Sequence, residues 1–510
     1  MKRHEAAVLE ERGSALLLAV ILVSVLLAVG AAVAVGSRGS VMASTQRLRS
    51  LEAENAARSA VRLLSRNLSS ELSSESLRAE LLTTFSLGAS AAAERIGQAL
   101  ARLPIGFENI QSGPGTLRGS VRWDLETVRS GDPRIYTAHY SLLGTGTAAH
   151  SLGSVSIELA GDALLSIGHL PMSHYQVWVP RQLLFSISEY TGPVRVLGDA
   201  AFDAPVVFRR DLECTGLTAA GIERCDARAR VRMGVAPIEA SDSLLEGGME
   251  DITWDKLRLV LRLEPGGDAP PPGVYFDGSR AVFIEGTVLE LVAAARGDEQ
   301  FFTAVHETLG KVHLRIAPAF TTVRVGGGPE ETTLGARDRL IVRGDIRSLA
   351  GGVVDENGEA VRGPEPPDIE VASFSGPFTI AASGQVTITG DLLAPSGPAG
   401  PIAPIGLVSQ QIAHSGSPGF VLAAPERQLD VDAHLYTKGG VVRASCERAV
   451  VQSIQLSNVI PSPLPQISVV YPDASEGGIG SPPGYPAART PVCYIGWPMA
   501  KHIRFVETTD

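Results

Sequence analysis

The sequence has little charge, few aromatic side chains and few cysteines. Charged residues are 19% and aromatic residues 5% of the 510 positions, whereas 54 glycines and 33 prolines favour turns. This composition argues against a helical bundle and predicts many short strands joined by turns. Acidic residues outnumber basic ones by 55 to 44, so the net charge of −11 gives no general attraction to nucleic acid or anionic lipid.

Signatures of common enzymes and metal sites are absent as well. The sequence has no C-x-x-C pair, no Walker loop and no G-x-S-x-G. His306-Glu307 does not open a zinc-protease motif, because Gly310 occupies the place of the second histidine. The segments LLGTGTAAH and Asp355–Glu359 are interpreted as turns. We therefore expect a protein that is not an enzyme, with no catalytic residue, metal or cofactor.

The longest feature present is an apolar run near the N-terminus. Ser14–Gly36 contains 23 residues without a charge. As a helix it would extend about 35 Å, enough to cross a membrane. The preceding leader, residues 1–13, balances three basic residues with three glutamates, so it lacks the basic excess of an ordinary secretory signal.

The order of these segments resembles a type IV prepilin. A charged leader ending in Arg12-Gly13 is followed directly by the apolar helix, residues 14–36. The resemblance implies that prepilin peptidase cuts between Gly13 and Ser14 and leaves the helix attached. Two other interpretations stay open, a secretory signal cleaved after Ala32-Val33-Ala34 and a plain signal anchor.

The stretch after the membrane run predicts an amphipathic stalk helix, placed at residues 37–103. Residues 37–72 contain no proline, and their small and apolar residues recur at three- and four-residue steps. The segment RLRSLEAENAARSAVRLL is similar to the post-membrane helix of PilX-like minor pilins, in which small residues allow close helix packing in a filament. An amphipathic helix that packs only on its own domain explains this segment equally well.

One residue departs from the pattern of major pilins. Their mature chains have Glu at the fifth residue, where this sequence has Leu18. In the resemblance, that carboxylate neutralises the terminal ammonium of the neighbouring subunit, and an unpaired charge inside an apolar filament is costly. Because minor pilins of the tip-forming type share this absence, the resemblance implies a position at or near the filament tip.

Beyond the stalk, the sequence predicts two β-rich parts. Residues 104–170 form a small pilin-like head with strand-like segments GSVRWDLETV, RIYTAHYSLLGTGT and SVSIELAG. Residues 171–510 form an accessory domain in which an apolar strand is repeatedly followed by glycine, at Gly198, Gly286, Gly344 and Gly390. The irregular spacings of 88, 58 and 46 residues leave a β-solenoid and a β-sandwich both open.

The accessory domain also resembles the large domain of competence-associated minor pilins of the ComZ type. The likeness lies in SISEYTGPVRVLGDAAFDAPVVF and LDVDAHLYTKGGVVRAS and is looser than that of the N-terminal segment. The last proline-rich loop, residues 471–491, is expected to wrap the domain. The predicted fold class is α+β: a long N-terminal helix, a small head and a large all-β domain.

Four cysteines lie beyond the membrane run. We expect two disulfides, Cys214 with Cys225 and Cys446 with Cys493, because the first pair would close a short loop with turn-forming glycines. Four buried free thiols are the alternative.

Basic residues alternate along two predicted strands. We interpret these residues, with the two arginines that precede the first cysteine loop, as candidates for a DNA-phosphate patch. The alternative is that they pair with neighbouring carboxylates and solvate a sheet face. The candidates are Arg209, Arg210, Arg228, Arg230, Arg232, Lys256, Arg258 and Arg262.

Together these features predict a large minor pilin. We expect it to enter the inner membrane with its N-terminus in the cytoplasm, and then to join other major and minor pilins in a type IV pilus or pseudopilus. The accessory domain would be displayed at the cell surface, where it would capture DNA during natural transformation or bind a surface. The alternative function is a membrane-anchored or secreted β-helical enzyme acting on polysaccharide, which requires clustered carboxylates on one face.

Overall fold

The computed structural model shows one long helix followed by a mostly β body. The residues that the structure describes are 2–112, 115–148, 154–179, 183–185, 189–202, 205–217, 231–233, 240–241, 271–276, 280–363, 371–397, 400–401, 403–411, 418–425, 427–438, 441–456, 467–469, 481–488, 491–496 and 499–508.

Helix α1 spans Lys2–Leu72 and is 71 residues long, or about 105 Å. Its described side chains are exposed from Leu17 to Glu52 and then become buried at helical spacing. This buried stripe forms one side of the head core, because small and apolar residues recur every three or four positions. It consists of Ala53, Ala56, Ala57, Ala60, Val61, Leu64, Leu68 and Leu72.

The helix does not continue to residue 103. It ends at Leu72, and Ser74 caps a second helix, α2 (Glu75–Leu82), by accepting a 3.4 Å hydrogen bond from the Leu77 amide. A 3₁₀ turn, Thr83–Ser86, and a third helix, α3 (Ala89–Ala101), follow. The single stalk helix predicted for residues 37–103 is therefore wrong, because serine side chains at positions 73 and 74 bond locally to the backbone and end the helix.

Four consecutive antiparallel strands form the first part of the head sheet. They are β1 (Phe107–Ser112), β2 (Gly115–Arg129), β3 (Arg134–Thr147) and β4 (Ser154–Gly168). Alternate residues of β3, from Tyr136 to Leu142, are buried against the helices, whereas the opposite face is polar. The predicted head strands are present at these positions.

Two glycines of β3 allow the sheet to approach α1. A Cβ atom on Gly146 would lie 2.3 Å from both the Ala53 carbonyl oxygen and the Ala57 amide nitrogen. A Cβ atom on Gly144 would lie 2.9 Å from the Ala57 carbonyl oxygen. The interpretation of LLGTGTAAH as a turn is therefore wrong for its glycines, which lie inside a strand and contact the helix backbone.

After β4 a 3₁₀ turn, Met172–His174, leads into the accessory domain. Its first strands are β5 (Val177–Val179), β6 (Leu183–Phe185), β7 (Glu189–Tyr190), β8 (Val194–Phe202), β9 (Val207–Phe208), β10 (Leu212–Leu217), β11 (Val231–Met233) and β12 (Ala240–Ser241). The next are β13 (Val274–Phe276), β14 (Ala281–Glu285), β15 (Val288–Arg296), β16 (Glu299–His306), β17 (Gly310–Ile316), β18 (Phe320–Val325), β19 (Glu330–Leu334), β20 (Arg339–Arg343), β21 (Ile346–Val354), β22 (Ala360–Arg362), β23 (Phe378–Ala382) and β24 (Val386–Ile388). The last are β25 (Ser396–Gly397), β26 (Gly400–Pro401), β27 (Ile405–Ser409), β28 (Pro418–Leu422), β29 (Gln428–Thr437), β30 (Val441–Ala444), β31 (Arg448–Leu456), β32 (Ile467–Val469) and β33 (Ala487–Ala488).

Two large sheets, each containing a run of parallel strands, form the centre of this domain. The first has the order β11-β10-β8-β5-β31-β29-β27-β23-β20-β14-β13, and the second contains β15-β21-β24-β28-β30. Five times the chain passes from a strand of the first sheet to the next strand of the second, beginning with β14 to β15 and β20 to β21. The two sheets share one apolar core, which explains their near-continuous apolar sequences.

Glycine forms the corners between the two sheets. Gly286 has a φ of +111° and lies between β14 and β15, and Gly344 lies in the same place between β20 and β21. A Cβ atom on Gly344 would be 2.6 Å from the Gly286 carbonyl oxygen, so successive corners stack directly. The predicted strand-glycine pattern corresponds to corners at these two positions, whereas Gly198 lies inside β8.

An antiparallel excursion extends the second sheet. Strands β15 to β19 pair in sequence order as an antiparallel meander. The excursion lies between the corner at Gly286 and the return to the first sheet at β20. It lies within the 58-residue interval between Gly286 and Gly344.

The end of the chain returns to the head. Strands β34 (Val492–Ile495) and β35 (Met499–Thr508) both pair antiparallel with β4. The accessory domain is thus inserted between two parts of the head, and residues 492–508 belong to the head sheet rather than to the predicted domain 171–510.

The segment 481–488, here called the strap, crosses the first parallel sheet, where Thr379 donates a 2.6 Å hydrogen bond to the Pro483 carbonyl. The strap therefore lies on the domain, and wrapping by the whole loop, residues 471–491, stays a prediction.

Candidate functional site

The exposed half of α1 is the strongest candidate for a functional surface. Within Leu17–Leu72, an 18-residue window has a mean hydropathy of 2.9 and no buried residue. By length and composition this is a helix that could cross a membrane. Its large apolar side chains point away from the body, with Leu18 66% exposed. Gly13 and Ser14 lie on the same helix, N-terminal to Leu17, where the structure describes the backbone only.

Apolar side chains stay exposed on α1 beyond the membrane run. Val41, Met42, Leu48 and Leu51 are all exposed, and residues 37–52 of α1 contact no other part of the described structure closely enough to be buried. Arg47 and Arg49 alternate with them, so this segment presents both charge and apolar surface. Exposed apolar surface of this extent is typical of a segment that packs against another protein.

The structure contradicts one predicted disulfide. Cys446 and Cys493 are both free thiols. Cys446 lies in the core shared by the two parallel sheets, whereas Cys493 lies on β34 in the head core. The return of the chain to the head separates them, a long-range feature that the cysteine spacing did not reveal. Cys214 is buried in β10, and Cys225 lies outside the described residues, so that pairing stays a prediction.

We expect both buried thiols to be detectable chemically. Burial raises the pKa of Cys493 to about 12 and also raises the pKa of Cys446. Because the thiolate is the reactive form, both should resist iodoacetamide in the native chain and react once the chain is unfolded without reductant. Peptide mass spectrometry checks this result. A disulfide-linked Cys446–Cys493 peptide pair would contradict the structure.

Only two members of the predicted basic patch have described side chains. Arg209 is exposed and pairs with Glu189 at 2.6 Å, and Arg210 is half-buried close to His174. Arg232 lies in β11, where the register aligns its backbone with Glu213 of β10. Arg228, Arg230, Lys256, Arg258 and Arg262 lie outside the described residues. Arg209 thus pairs with a carboxylate 20 residues earlier in the sequence, which is not one of the neighbouring carboxylates of the alternative interpretation.

A buried charged cluster beside the head was not predicted. Arg195 of β8 and Glu213 of β10 form a salt bridge, and each is less than a tenth exposed. Tyr175 donates a 3.4 Å hydrogen bond to Glu213, and its ring lies 5.9 Å from the Arg195 guanidinium carbon. One feature of the sequence could have indicated this cluster: Arg195 is a charged residue between two valines of an apolar strand, and both valines are buried.

A second charged group ties the C-terminal strand to the head. On the polar face of the sheet, His139 of β3 bonds to Asp162 of β4 at 2.8 Å and to Glu126 of β2 at 3.3 Å. Lys501 of β35 pairs with the other oxygen of Asp162 at 2.5 Å. The hydrogen bond to Asp162 raises the pKa of His139 above its usual 6.5.

This pairing predicts a pH-dependent contribution to stability. Because the folded-state pKa of His139 is raised, its contribution is fully present below the unfolded pKa of about 6.5 and is lost as the pH rises through the folded value. We expect the stability difference between the wild type and His139→Gln to be largest near pH 6 and to shrink toward alkaline pH. Urea denaturation at a series of pH values measures it. A difference that stays constant or grows with pH would contradict the assignment.

The described residues contain no group of three His, Cys, Asp or Glu side chains that could hold a metal. His306 lies in β16 and His313 in β17. The His306 ring is buried and bonds through Nε2 to the Glu285 carbonyl at 2.8 Å. Asp355–Glu359 is a turn between β21 and β22, in which Asp355 accepts hydrogen bonds from the Asn357 and Glu359 amides.

Comparisons with known proteins give one structural likeness. No family model matches the chain, and no curated protein matches it. The crystal structure of the competence-associated pilin ComZ from Thermus thermophilus aligns with 79% of this chain and 86% of its own, at 12% identity and a TM-score of 0.31. These values establish neither a shared fold nor a family, so the pilin resemblance stays a prediction.

Proposed function

We propose that this chain is a large minor-pilin-like subunit that is processed between Gly13 and Ser14, held in the inner membrane by α1, and then assembled with other pilins. The N-terminus would be cytoplasmic, and the head and accessory domain extracytoplasmic. After assembly into a type IV pilus or pseudopilus, the accessory domain would be displayed at the cell surface.

One observation supports this proposal most strongly. Helix α1 continues without a break from the exposed apolar run into the stripe that packs on the head sheet. The same rigid element therefore joins a membrane-compatible segment to a folded domain. A short cleavable signal has no need of this continuity, whereas an assembly helix that remains attached requires it.

Cross-linking through α1 tests the proposal. Leu48→Cys places a thiol on the exposed face of α1, and the matched control Ala57→Cys places one at a fully buried position on the same helix. Surface filaments sheared from cells are treated with a maleimide–diazirine cross-linker, whose photoactivated end inserts into any neighbouring side chain and needs no thiol on the partner pilin. We expect Leu48→Cys to form an adduct with another pilin, while Ala57→Cys and the wild type form none. If the Leu48→Cys protein is present in filaments but forms no adduct with another pilin, assembly through α1 is contradicted.

The tip position is part of the same proposal. Its support is Leu18, which cannot neutralise the terminal ammonium of a neighbouring subunit. Immunogold labelling of the accessory domain should mark filament ends. Label distributed evenly along the shafts would contradict tip placement.

We further propose that the accessory domain is a β-solenoid with uneven turns, and that it binds DNA or a surface. The parallel pairing of successive strands and the stacked corners support the solenoid. The DNA role rests on the alternating arginines of the sequence. Substituting Arg228, Arg230 and Arg232 with Glu should weaken DNA binding and lower its salt dependence. Unchanged affinity and salt slope would exclude this patch and leave surface adhesion as the binding role.

A further inference from the structure

A groove lies on one face of the antiparallel excursion, and the function proposed above assigns no role to it. Cross-strand neighbours form two rows across β16, β17 and β18, one of Phe301, Arg315 and Thr322, the other of Thr303, His313 and Arg324. Residues aligned in this way share one face of the sheet. All of these side chains except Thr303, together with the turn between β21 and β22, line an open groove with a volume of about 210 Å³.

The turn at Asp355–Glu359 forms one wall of this groove. Arg296 donates hydrogen bonds of 3.2 and 2.8 Å to the carbonyls of Val354 and Asp355. Glu359 accepts from Arg324 and lies 3.5 Å from Nε2 of His313. The turn is thus fixed to the sheet by side chains that also line the groove.

The charged side chains of the groove are held in place but remain accessible. Arg315 makes a two-point salt bridge to Glu299, with distances of 3.1 and 2.7 Å. Its guanidinium lies between the rings of Phe301 and Phe320, at 6.0 and 5.6 Å from their centres. Yet the side chain is 45% exposed. A guanidinium has five N–H donors, so Arg315 retains donors beyond the two that bind Glu299.

The balance of charge narrows the class of ligand. The arginines at 296, 315 and 324 are matched by the carboxylates at 299, 330 and 359, so a polyanion would meet as much repulsion as attraction. Burial lowers the pKa of His313, which leaves a neutral ring there at pH 7. An apolar ligand would cover the remaining N–H donors and carboxylate lone pairs without hydrogen-bonding to them, which is costly. A small molecule with many hydroxyls can bind both the arginine N–H donors and the glutamate oxygens, because each hydroxyl can donate and accept a hydrogen bond.

We propose that this groove binds a neutral sugar unit, with the exposed arginine N–H groups donating to its hydroxyls and the glutamate oxygens accepting from them. The volume is below the roughly 300–1,000 Å³ of pockets for drug-sized ligands, so the groove suits a single ring or the end of a glycan. The groove is formed within one excursion of the accessory domain. The inference therefore goes beyond the proposed function and does not depend on processing or filament assembly.

Saturation-transfer NMR on the full chain tests this inference. The chain is held in a detergent that lacks a sugar headgroup, and glucose, galactose and N-acetylglucosamine are offered separately. Two exposed residues of the same turn provide a matched pair, Asn357 at the groove and Glu356 outside its lining. We expect transfer to at least one sugar, an affinity lowered about 10-fold or more by Asn357→Trp, and little change with Glu356→Trp.

A second variant separates binding from folding. Glu330 is an exposed groove residue on the edge strand β19, and Glu330→Ala should weaken binding roughly 3- to 10-fold without altering the melting temperature. Added salt should leave the affinity unchanged. Absence of transfer to all three sugars, or equal binding by Asn357→Trp, would overturn the proposal. Binding that inorganic phosphate displaces and that falls with salt would overturn it in favour of an anion site.

Discussion

Replacing Glu213 with alanine is expected to lower the free energy of unfolding of the accessory domain by about 3–5 kcal/mol. Glu213 is 2% exposed and forms a salt bridge with Arg195, which is also buried. Removing the carboxylate takes from a buried guanidinium an anion that helps to offset its desolvation. Urea denaturation followed by tryptophan fluorescence measures the change, since Trp178 lies in β5, beside Arg195 in the strand register.

A nearby exposed pair supplies the matched control. Glu189 pairs with Arg209 at 2.6 Å, but both side chains are about half exposed to water. Glu189→Ala removes the same kind of interaction and should cost less than about 1 kcal/mol, because water replaces the lost partner. Equal effects of the two substitutions would show that burial does not determine the importance of the Glu213 pair.

Replacing Gly146 with valine is the second change expected to have a large effect. The new side chain would overlap the backbone of α1 at Ala53 and Ala57, and backbone atoms cannot move aside as a flexible side chain can. We expect a loss of about 3 kcal/mol in the stability of the head, because the helix must shift away from the sheet. Thermal unfolding measured by circular dichroism reports this loss.

Gly97→Ala provides the control for that substitution. Gly97 lies inside α3, and an added Cβ would meet nothing within 4 Å. Alanine there should stabilise the helix by about 0.5–1 kcal/mol. If Gly146→Val were tolerated as well as Gly97→Ala, the conclusion that β3 packs closely on α1 would be wrong.

Local sequence patterns predicted the elements that are built from neighbouring residues. Strand β3 spans Arg134–Thr147, the same residues as the predicted segment RIYTAHYSLLGTGT. The corners at Gly286 and Gly344 follow from the need for a tight change of direction after an apolar strand. The apolar run of α1 is evident from its length alone.

Features that depend on distant partners could not be predicted in this way. The alternation of β35 is that of a strand, but nothing in MAKHIRFVET indicates pairing with β4, more than 330 residues earlier. The Cys446–Cys493 pairing was wrong for the same reason, since the return of the chain places the two thiols in different cores. The groove was also missed, because each of its two rows combines side chains from three consecutive strands, which align only when the meander forms.

The mass of the N-terminal peptide of the mature protein, purified from its own cells, tests the central claim most directly. The account predicts a chain that begins at Ser14 and carries an N-methyl group, with the whole of the exposed apolar segment retained. A chain beginning at Val35 would contradict it, because cleavage there removes the helix needed for assembly. A chain that still begins at Met1 would equally exclude prepilin processing and leave a plain membrane anchor.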